Sequence, residues 1–194
     1  MAFQQIDSFN ELPTIDLLES LEAEALSTPE SNPRLVRYYA LFLYTFIISN
    51  DLIEARFLYR RIPGSLKSTD DATLEASKSI LNTLWSKDYI RFYRLAAEEL
   101  SRLAKISPNS IEKVALEEVT KQVRQRNYDI AVKAFESVQI NVIAELLGLA
   151  IEQTAEFLAS QNWSFNETDS SIVIPPVIND GMIMKGLISM VTVY

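Results

Sequence analysis

Apolar side chains recur through most of this chain at helical spacing, punctuated by capping residues and prolines. The clearest stretch runs from Asn50 to Lys67. Asp51 can accept a hydrogen bond from the first free amides of a helix. Ala55, Leu58, Tyr59 and Ile62 follow at i, i+3, i+4 and i+7, which makes one buried stripe. Pro63 and Gly64 then predict a sharp stop. Upstream, Ile15, Leu17, Leu18, Leu21 and Leu26 predict a helix over 14–26, closed by Ser27-Thr28-Pro29. Ser31-Asn32-Pro33 places a capping side chain before a proline at the first helical position. The helix it opens, over 33–49, is apolar nearly all round, as in an element buried on most sides.

Downstream, the same pattern predicts a helix over 70–86, capped by Asp70 or Asp71, with Leu74, Ser77, Ile80, Leu81, Leu84 and Trp85 as its stripe. Another runs over 88–105, opened by Asp88. A third begins near Pro108-Asn109-Ser110 and carries Ile111, Val114, Ala115, Val119 and Val123, and a short one spans Asn127 to Phe135. Two of these starts look alike. Lys87-Asp88-Tyr89-Ile90 aligns with Asn50-Asp51-Leu52-Ile53 at an offset of 37, and Arg126-Asn127-Tyr128-Asp129-Ile130 resembles the second copy at an offset of 39. A period of roughly 35–40 residues with two helices per unit is the signature of stacked helical hairpins, TPR- or HEAT-like. The alternative is an irregular helical domain whose helix pairs merely look similar.

After Lys133 the character changes. Val138-Gln139-Ile140 leads into a helix with Val142, Ile143, Leu146 and Leu147 that stops at Gly148. A second helix follows at once, with Ile151, Ala155, Leu158 and Ala159 at i, i+4, i+7 and i+8. Two strand-like pieces, Trp163–Phe165 and Ile172–Ile174, are joined by a polar turn over 166–171. Helix, tight glycine turn, helix and β-hairpin within about 40 residues make a winged helix. Pro175-Pro176 closes the wing, and the apolar segment Met182–Val193 fits either a helix or a strand. The expected fold is therefore mainly α, with helical-hairpin repeats followed by a winged-helix subdomain bearing a small β-hairpin wing. Its parts are an acidic N-terminal segment (1–32), a repeat subdomain (33–135), the winged helix (136–176) and a C-terminal segment (177–194).

Composition narrows the function. With 48% hydrophobic and 23% charged residues the chain is ordinary globular material, and four glycines are too few for an all-β design. The longest apolar run, Tyr38 to Ile48, falls short of the roughly 20 residues that span a bilayer. The first residues lack the basic start and apolar core of a secretory signal, so cytoplasm and nucleus are the expected locations. Cysteine and histidine are both absent. That excludes disulfides, thiolate nucleophiles, a Ser-His-Asp triad and zinc sites of the common types. The adjacent carboxylates Asp70-Asp71, Glu98-Glu99 and Glu117-Glu118 do not share a helix face, so they read as solvated surface. No phosphate-binding glycine motif is present. The chain is expected to be no enzyme, with no cofactor, no metal and no small-molecule substrate.

A helix-turn-helix raises the question of nucleic acid, and charge answers it. From Ala134 to Met184 there are seven carboxylates and no Lys or Arg, and the second helix presents Glu152, Gln153 and Glu156. Duplex affinity comes largely from neutralising phosphates, and the whole chain carries −8. No nucleic-acid partner is expected. What remains is a wing whose β-edge can pair with a strand of another chain, unless the C-terminal segment covers it.

A helical-repeat array feeding into a winged helix resembles the PCI domains found in the proteasome lid, the COP (constitutive photomorphogenesis) signalosome and a translation initiation factor. Asn50-Asp51, Ala55-Arg56, Leu58, Arg60-Arg61-Ile62-Pro63, Lys67, Lys87-Asp88, Gly148-Leu149, Trp163 and Ile172-Val173-Ile174-Pro175 are most similar to the smallest PCI subunits of the signalosome. Ala150 departs from the Ser, Thr or Pro usual before the second wing helix, and Met182–Tyr194 is more apolar than the expected charged terminal helix. The resemblance implies a non-catalytic scaffold subunit of the complex that removes Nedd8 from cullins. Its implied partners are other PCI subunits, met through wing edges and C-terminal helices. A sister scaffold in the proteasome lid or an initiation factor is the alternative. The candidate contact residues are Arg56, Arg60, Ile172, Val173 and Ile174. Arg56 and Arg60 lie four apart on one helix face, where like charges repel slightly. An acidic partner would relieve that, although basic residues at a helix end also suit the dipole unaided. Ile172 and Ile174 share one side of the wing strand and Val173 takes the other. Trp163 reads as core.

Overall fold

The computed structural model describes residues 11–67, 72–166, 169 and 171–176. The segment Met182–Val193, the caps Asp70 and Asp71, and residues 167, 168 and 170 of the 166–171 turn lie outside them. In chain order the elements are α1 (Ile15–Ser27), α2 (Pro33–Ile48), α3 (Leu52–Arg61), α4 (Gly64–Lys67), α5 (Ala72–Trp85), α6 (Tyr89–Ile106) and α7 (Ile111–Ala134). They continue with β1 (Val138–Gln139), α8 (Ile140–Leu147), α9 (Ile151–Ser160), β2 (Ser164–Phe165) and β3 (Ile172–Ile174). The described residues divide into two compact units between Arg126 and Asn127, inside α7.

The first unit is built around α2. Asn32 accepts a hydrogen bond from the Arg34 amide and Pro33 occupies the first turn. The helix then buries Leu35, Val36, an unbroken run from Tyr38 to Tyr44, and Phe46 and Ile47, because α1, α3 and α5 all pack on it. Its aromatics form a ladder, with ring centroids 5.7 Å apart for Tyr38 and Phe42 and 4.7 Å for Phe42 and Phe46. Each such buried side chain contributes about 1.5–3 kcal/mol. The Tyr38 hydroxyl donates to the Leu18 carbonyl at 2.8 Å and ties α1 to α2. Burial, with the Glu22 carboxylate adding to it, pushes that phenol well above its ordinary range.

The repeat is real at two of its three expected joints. After α2, Asn50 adopts φ 65° and donates to the Ile47 carbonyl, while the Asp51 amide donates to Phe46. After α5, Lys87 adopts φ 58° and donates to Leu84, while the Asp88 amide donates to Thr83. Both are Schellman closures. Both hand over directly to an aspartate N-cap, Asp51 to the Glu54 amide at 2.9 Å and Asp88 to the Arg91 amide at 3.1 Å. Lys87 holds a left-handed conformation that asparagine tolerates better. Lys87→Asn should therefore raise stability by about 0.5 kcal/mol, measured as a higher urea midpoint with an unchanged slope. The third joint does not exist. α7 runs unbroken from Ile111 to Ala134, so the separate helix expected at Asn127 is corrected. No glycine or proline interrupts those residues, and Asn127 is buried with its amide donating to the Leu146 carbonyl at 2.8 Å instead of capping a helix.

The stop at Pro63-Gly64 is also more than a stop. Ile62 is extended at φ −56°, ψ 130°, as a residue before proline prefers. The Pro63 carbonyl then accepts from the Lys67 amide at 3.2 Å, which closes α4, a single turn that buries Leu66.

The second unit holds a small core of Ala131, Ile140, Ile143, Leu147, Leu158, Trp163 and Val173. Gly148, at φ 63°, ends α8 in the left-handed conformation the tight turn needs. The buried stripe of α9 is Thr154 and Leu158, flanked by Ala155 and Phe157; Ile151 and Ala159 are exposed, which corrects the expected set. Thr154 is tolerated inside because its hydroxyl donates to the Ala150 carbonyl at 2.9 Å. Ala150 has the extended N-cap conformation but no capping side chain, and its amide reaches only the Gln153 side chain at 3.4 Å. Ala150→Ser should add about 1 kcal/mol to this unit, read as slower amide exchange in the first turn of α9.

The sheet is three-stranded and antiparallel in the order β1-β3-β2, with Val138 opposite Val173 and Ser164 opposite Ile174. The expected two-stranded hairpin thus gains a strand contributed from before α8.

Candidate functional site

Four nominated or neighbouring side chains share one face of α3: Ile53, Arg56, Phe57 and Arg60. Asp51 sets the phase of that helix, and Ala55 and Leu58 anchor its other side in the core. The Arg56 guanidinium lies over the Trp85 ring of α5, 3.9 Å from its centroid. Arg60 lies 5.9 Å from the Phe57 ring. The structure thus separates the two arginines onto different aromatic faces. Trp85 was expected in the buried stripe of α5 but is 48% exposed, its ring shielded by Arg56 where protein would otherwise cover it. Ile53 and Phe57 beside it are 59% and 47% exposed. The neighbouring Arg61 instead pairs with Glu22 at 3.1 Å.

In the wing, β3 is the central strand, with β1 on one side and β2 on the other. The expectation that Ile172–Ile174 offers a free edge is corrected, because its backbone is already paired on both sides. Val173 is fully buried, whereas Ile172 and Ile174 are half-buried on the opposite side. The outer strands among the described residues are β1 and β2, and β2 carries the partly exposed Phe165. Trp163 is core: its ring nitrogen donates to the Tyr128 hydroxyl at 3.4 Å, and Tyr128 meets Phe157 edge-on at 5.5 Å. The exposed face of α9 carries Glu152, Gln153 and Glu156.

One cluster of titratable groups lies inside the first unit. Glu99, expected on the surface, is 6% exposed and accepts two hydrogen bonds from Arg102, at 2.7 and 2.6 Å. Arg102 also donates to Thr73 at 2.8 Å. Glu112 is buried too and accepts from Arg37. Only tertiary packing reveals these pairs. Each carboxylate is taken up by a guanidinium, which is the arrangement of a core ion pair. The Tyr44 hydroxyl, near both, is buried without a hydrogen-bond partner among the described residues, and desolvation pushes its pKa far up. Among the described residues no three acidic side chains come together as metal ligands, and no helix is long and apolar enough to cross a membrane.

The paired turns, the glycine-closed α8–α9 joint and the wing fall within one stretch that matches a known sequence family. Residues 34–179 fit the pattern of the CSN8/PSMD8/EIF3K family. The chain belongs to that family. Individual relatives agree at low identity and high coverage. A protein of Dictyostelium discoideum named COP9 signalosome complex subunit 8 is 23% identical over 182 residues, covering 91% of this chain and 86% of the relative. Proteins of the same name in Danio rerio and Xenopus tropicalis are 25% and 26% identical over 150 residues, covering 76% of this chain and 72% of each relative. The family stretch takes in both repeat joints, Arg56, Trp85, Trp163 and all of β3.

Proposed function

We propose that this chain is a non-catalytic scaffold subunit of a COP9 signalosome, the assembly that removes Nedd8 from cullin-RING ubiquitin ligases. The carrying observation is the family match over residues 34–179, joined to similarity over 91% of the chain with a protein named as its subunit 8. The residues support it: a chain without cysteine or histidine has no thiolate nucleophile, no Ser-His-Asp triad and no zinc site of the common Cys/His types, and its folded parts present surfaces. Its partners are other PCI-domain subunits, in cytoplasm and nucleus. Arg56, Arg60, Ile172 and Ile174 are contact residues, with Val173 holding the wing strand from inside. The acidic face of α9 argues against nucleic acid, since it would repel phosphates.

Affinity capture of the tagged full chain, followed by mass spectrometry, tests this reading. Signalosome subunits should be recovered together, and depleting the chain should raise the Nedd8-conjugated fraction of cullins. Recovery of proteasome-lid or initiation-factor subunits without the signalosome would give the chain to a sister complex.

A further inference from the structure

The α3 face is built differently from its counterpart in the second repeat, and the difference is informative. At the offset of 37, Ile53, Arg56, Phe57 and Arg60 correspond to Ile90, Tyr93, Arg94 and Ala97. Tyr93 is buried, Arg94 lies 4.0 Å from Glu98, and Ala97 is small and uncharged. The hairpin architecture therefore does not require an exposed phenylalanine flanked by two arginines. Neither Arg56 nor Arg60 forms an ion pair among the described residues, whereas Arg37, Arg61, Arg94 and Arg102 all do. In a chain of net charge −8, these two guanidiniums without an ion pair stand on one helix face beside exposed Ile53, Phe57 and Trp85. Tryptophan and arginine are also the residues in which binding energy concentrates at interfaces.

We infer that the face made by Ile53, Arg56, Phe57, Arg60 and Trp85 docks an acidic amphipathic helix of a partner protein. Its carboxylates meet Arg56 and Arg60, and its apolar side chains cover Ile53, Phe57 and the open part of the Trp85 ring. Charge selects the occupant: carboxylates gain bidentate partners here, and a basic segment would be repelled. Arg56 is already held by its stacking on Trp85, so little side-chain freedom is lost on binding. The inference deepens the reading of the chain as a protein-binding subunit and rests on it, but its test requires no assembly.

The probe is a fluorescein-labelled helical peptide with glutamates on one face and leucines at i, i+4 spacing, compared with the same peptide carrying Lys for Glu. The full chain should bind the glutamate peptide, more weakly as salt rises, with a change in tryptophan emission that Trp85→Phe removes. Arg56→Gln/Arg60→Gln and Phe57→Ala should each weaken binding at least tenfold while circular dichroism stays unchanged. Arg91→Gln, an exposed arginine on α6, should leave it unaltered. Equal binding of the lysine peptide, no binding at all, or variants that bind like the wild type would overturn the inference. Self-association of the wild type, abolished by Arg56→Gln/Arg60→Gln, would give the face to a second copy and overturn it equally. Capture of the signalosome can succeed or fail independently of each of these outcomes.

Discussion

Trp163→Ala is expected to cost the winged-helix unit about 3–5 kcal/mol, the range for emptying an aromatic site in a core. The site leaves little room for relaxation. Trp163 is 4% exposed and sits in a core whose other buried members are small or aliphatic. Its ring lies 6.3 Å from Tyr128, which in turn leans on Phe157 of α9. Removing the indole strips cover from that pair and from the inward side of β3. Among the described residues of this unit there is no second cluster of buried side chains to compensate. Amide exchange measured by mass spectrometry should show α8 and α9 losing most of their protection, while α2 and α5 of the other unit keep theirs. Trp163→Phe should lose less than half as much. Protection within 1 kcal/mol of the wild type in the alanine variant would mean that the core is not organised around this residue.

Arg126→Met is the second large effect, a loss of about 1.5–3 kcal/mol, as for hydrogen bonds made by a charged group. Arg126 of α7 reaches back to the end of α2. One terminal nitrogen donates to the Ile47 carbonyl at 3.0 Å and to the Ile48 carbonyl, and the other donates to the Asn50 side chain at 3.1 Å. The last carbonyls of a helix have no partner within it and carry its negative end, so a fixed guanidinium answers both needs. Burial lowers the pKa of Arg126, which is the desolvation cost those acceptors offset. Methionine keeps much of the volume and loses every donor. Lysine should recover little, because one ammonium cannot span three acceptors arranged around a helix end. Chemical denaturation should show the lower stability, and exchange of the last-turn amides of α2 should rise most. Unchanged protection there would show that the contact contributes nothing.

Both predictions fall on residues that the sequence displays but does not explain. Arg126 resembles a third copy of the repeat joint, and that likeness suggests a turn at a place where the helix continues. Its real role is to bind the first joint, whose Asn50 is 76 residues away. Trp163 reads as core from its size and position, yet its ring partner Tyr128 comes from α7, 35 residues back, and Tyr128 in turn meets Phe157 of α9. The candidate contact residues divide the same way. The α3 face of Arg56 and Arg60 is legible from helical phase. Their separation onto Trp85 and Phe57 is not, since nothing near Arg56 in the chain announces a tryptophan 29 residues on. The wing residues Ile172 to Ile174 are legible as a strand, but their central position depends on β1, from beyond two helices.

By itself the sequence determined where helices begin and turn. Asn32 with Pro33, Asp51 and Asp88 cap their helices, Gly148 closes the α8–α9 joint, and the strands β2 and β3 stand where alternation places them. Those choices are made among hydrogen bonds within four or five residues, so the local chain contains all the competitors. Tertiary structure alone decided that Glu99 and Glu112 are buried, that Thr154 replaces Ile151 in the stripe of α9, that α7 passes unbroken through Asn127, and that β3 has no free edge. Each of these depends on a partner far along the chain, and helical periodicity specifies a face without specifying what will cover it.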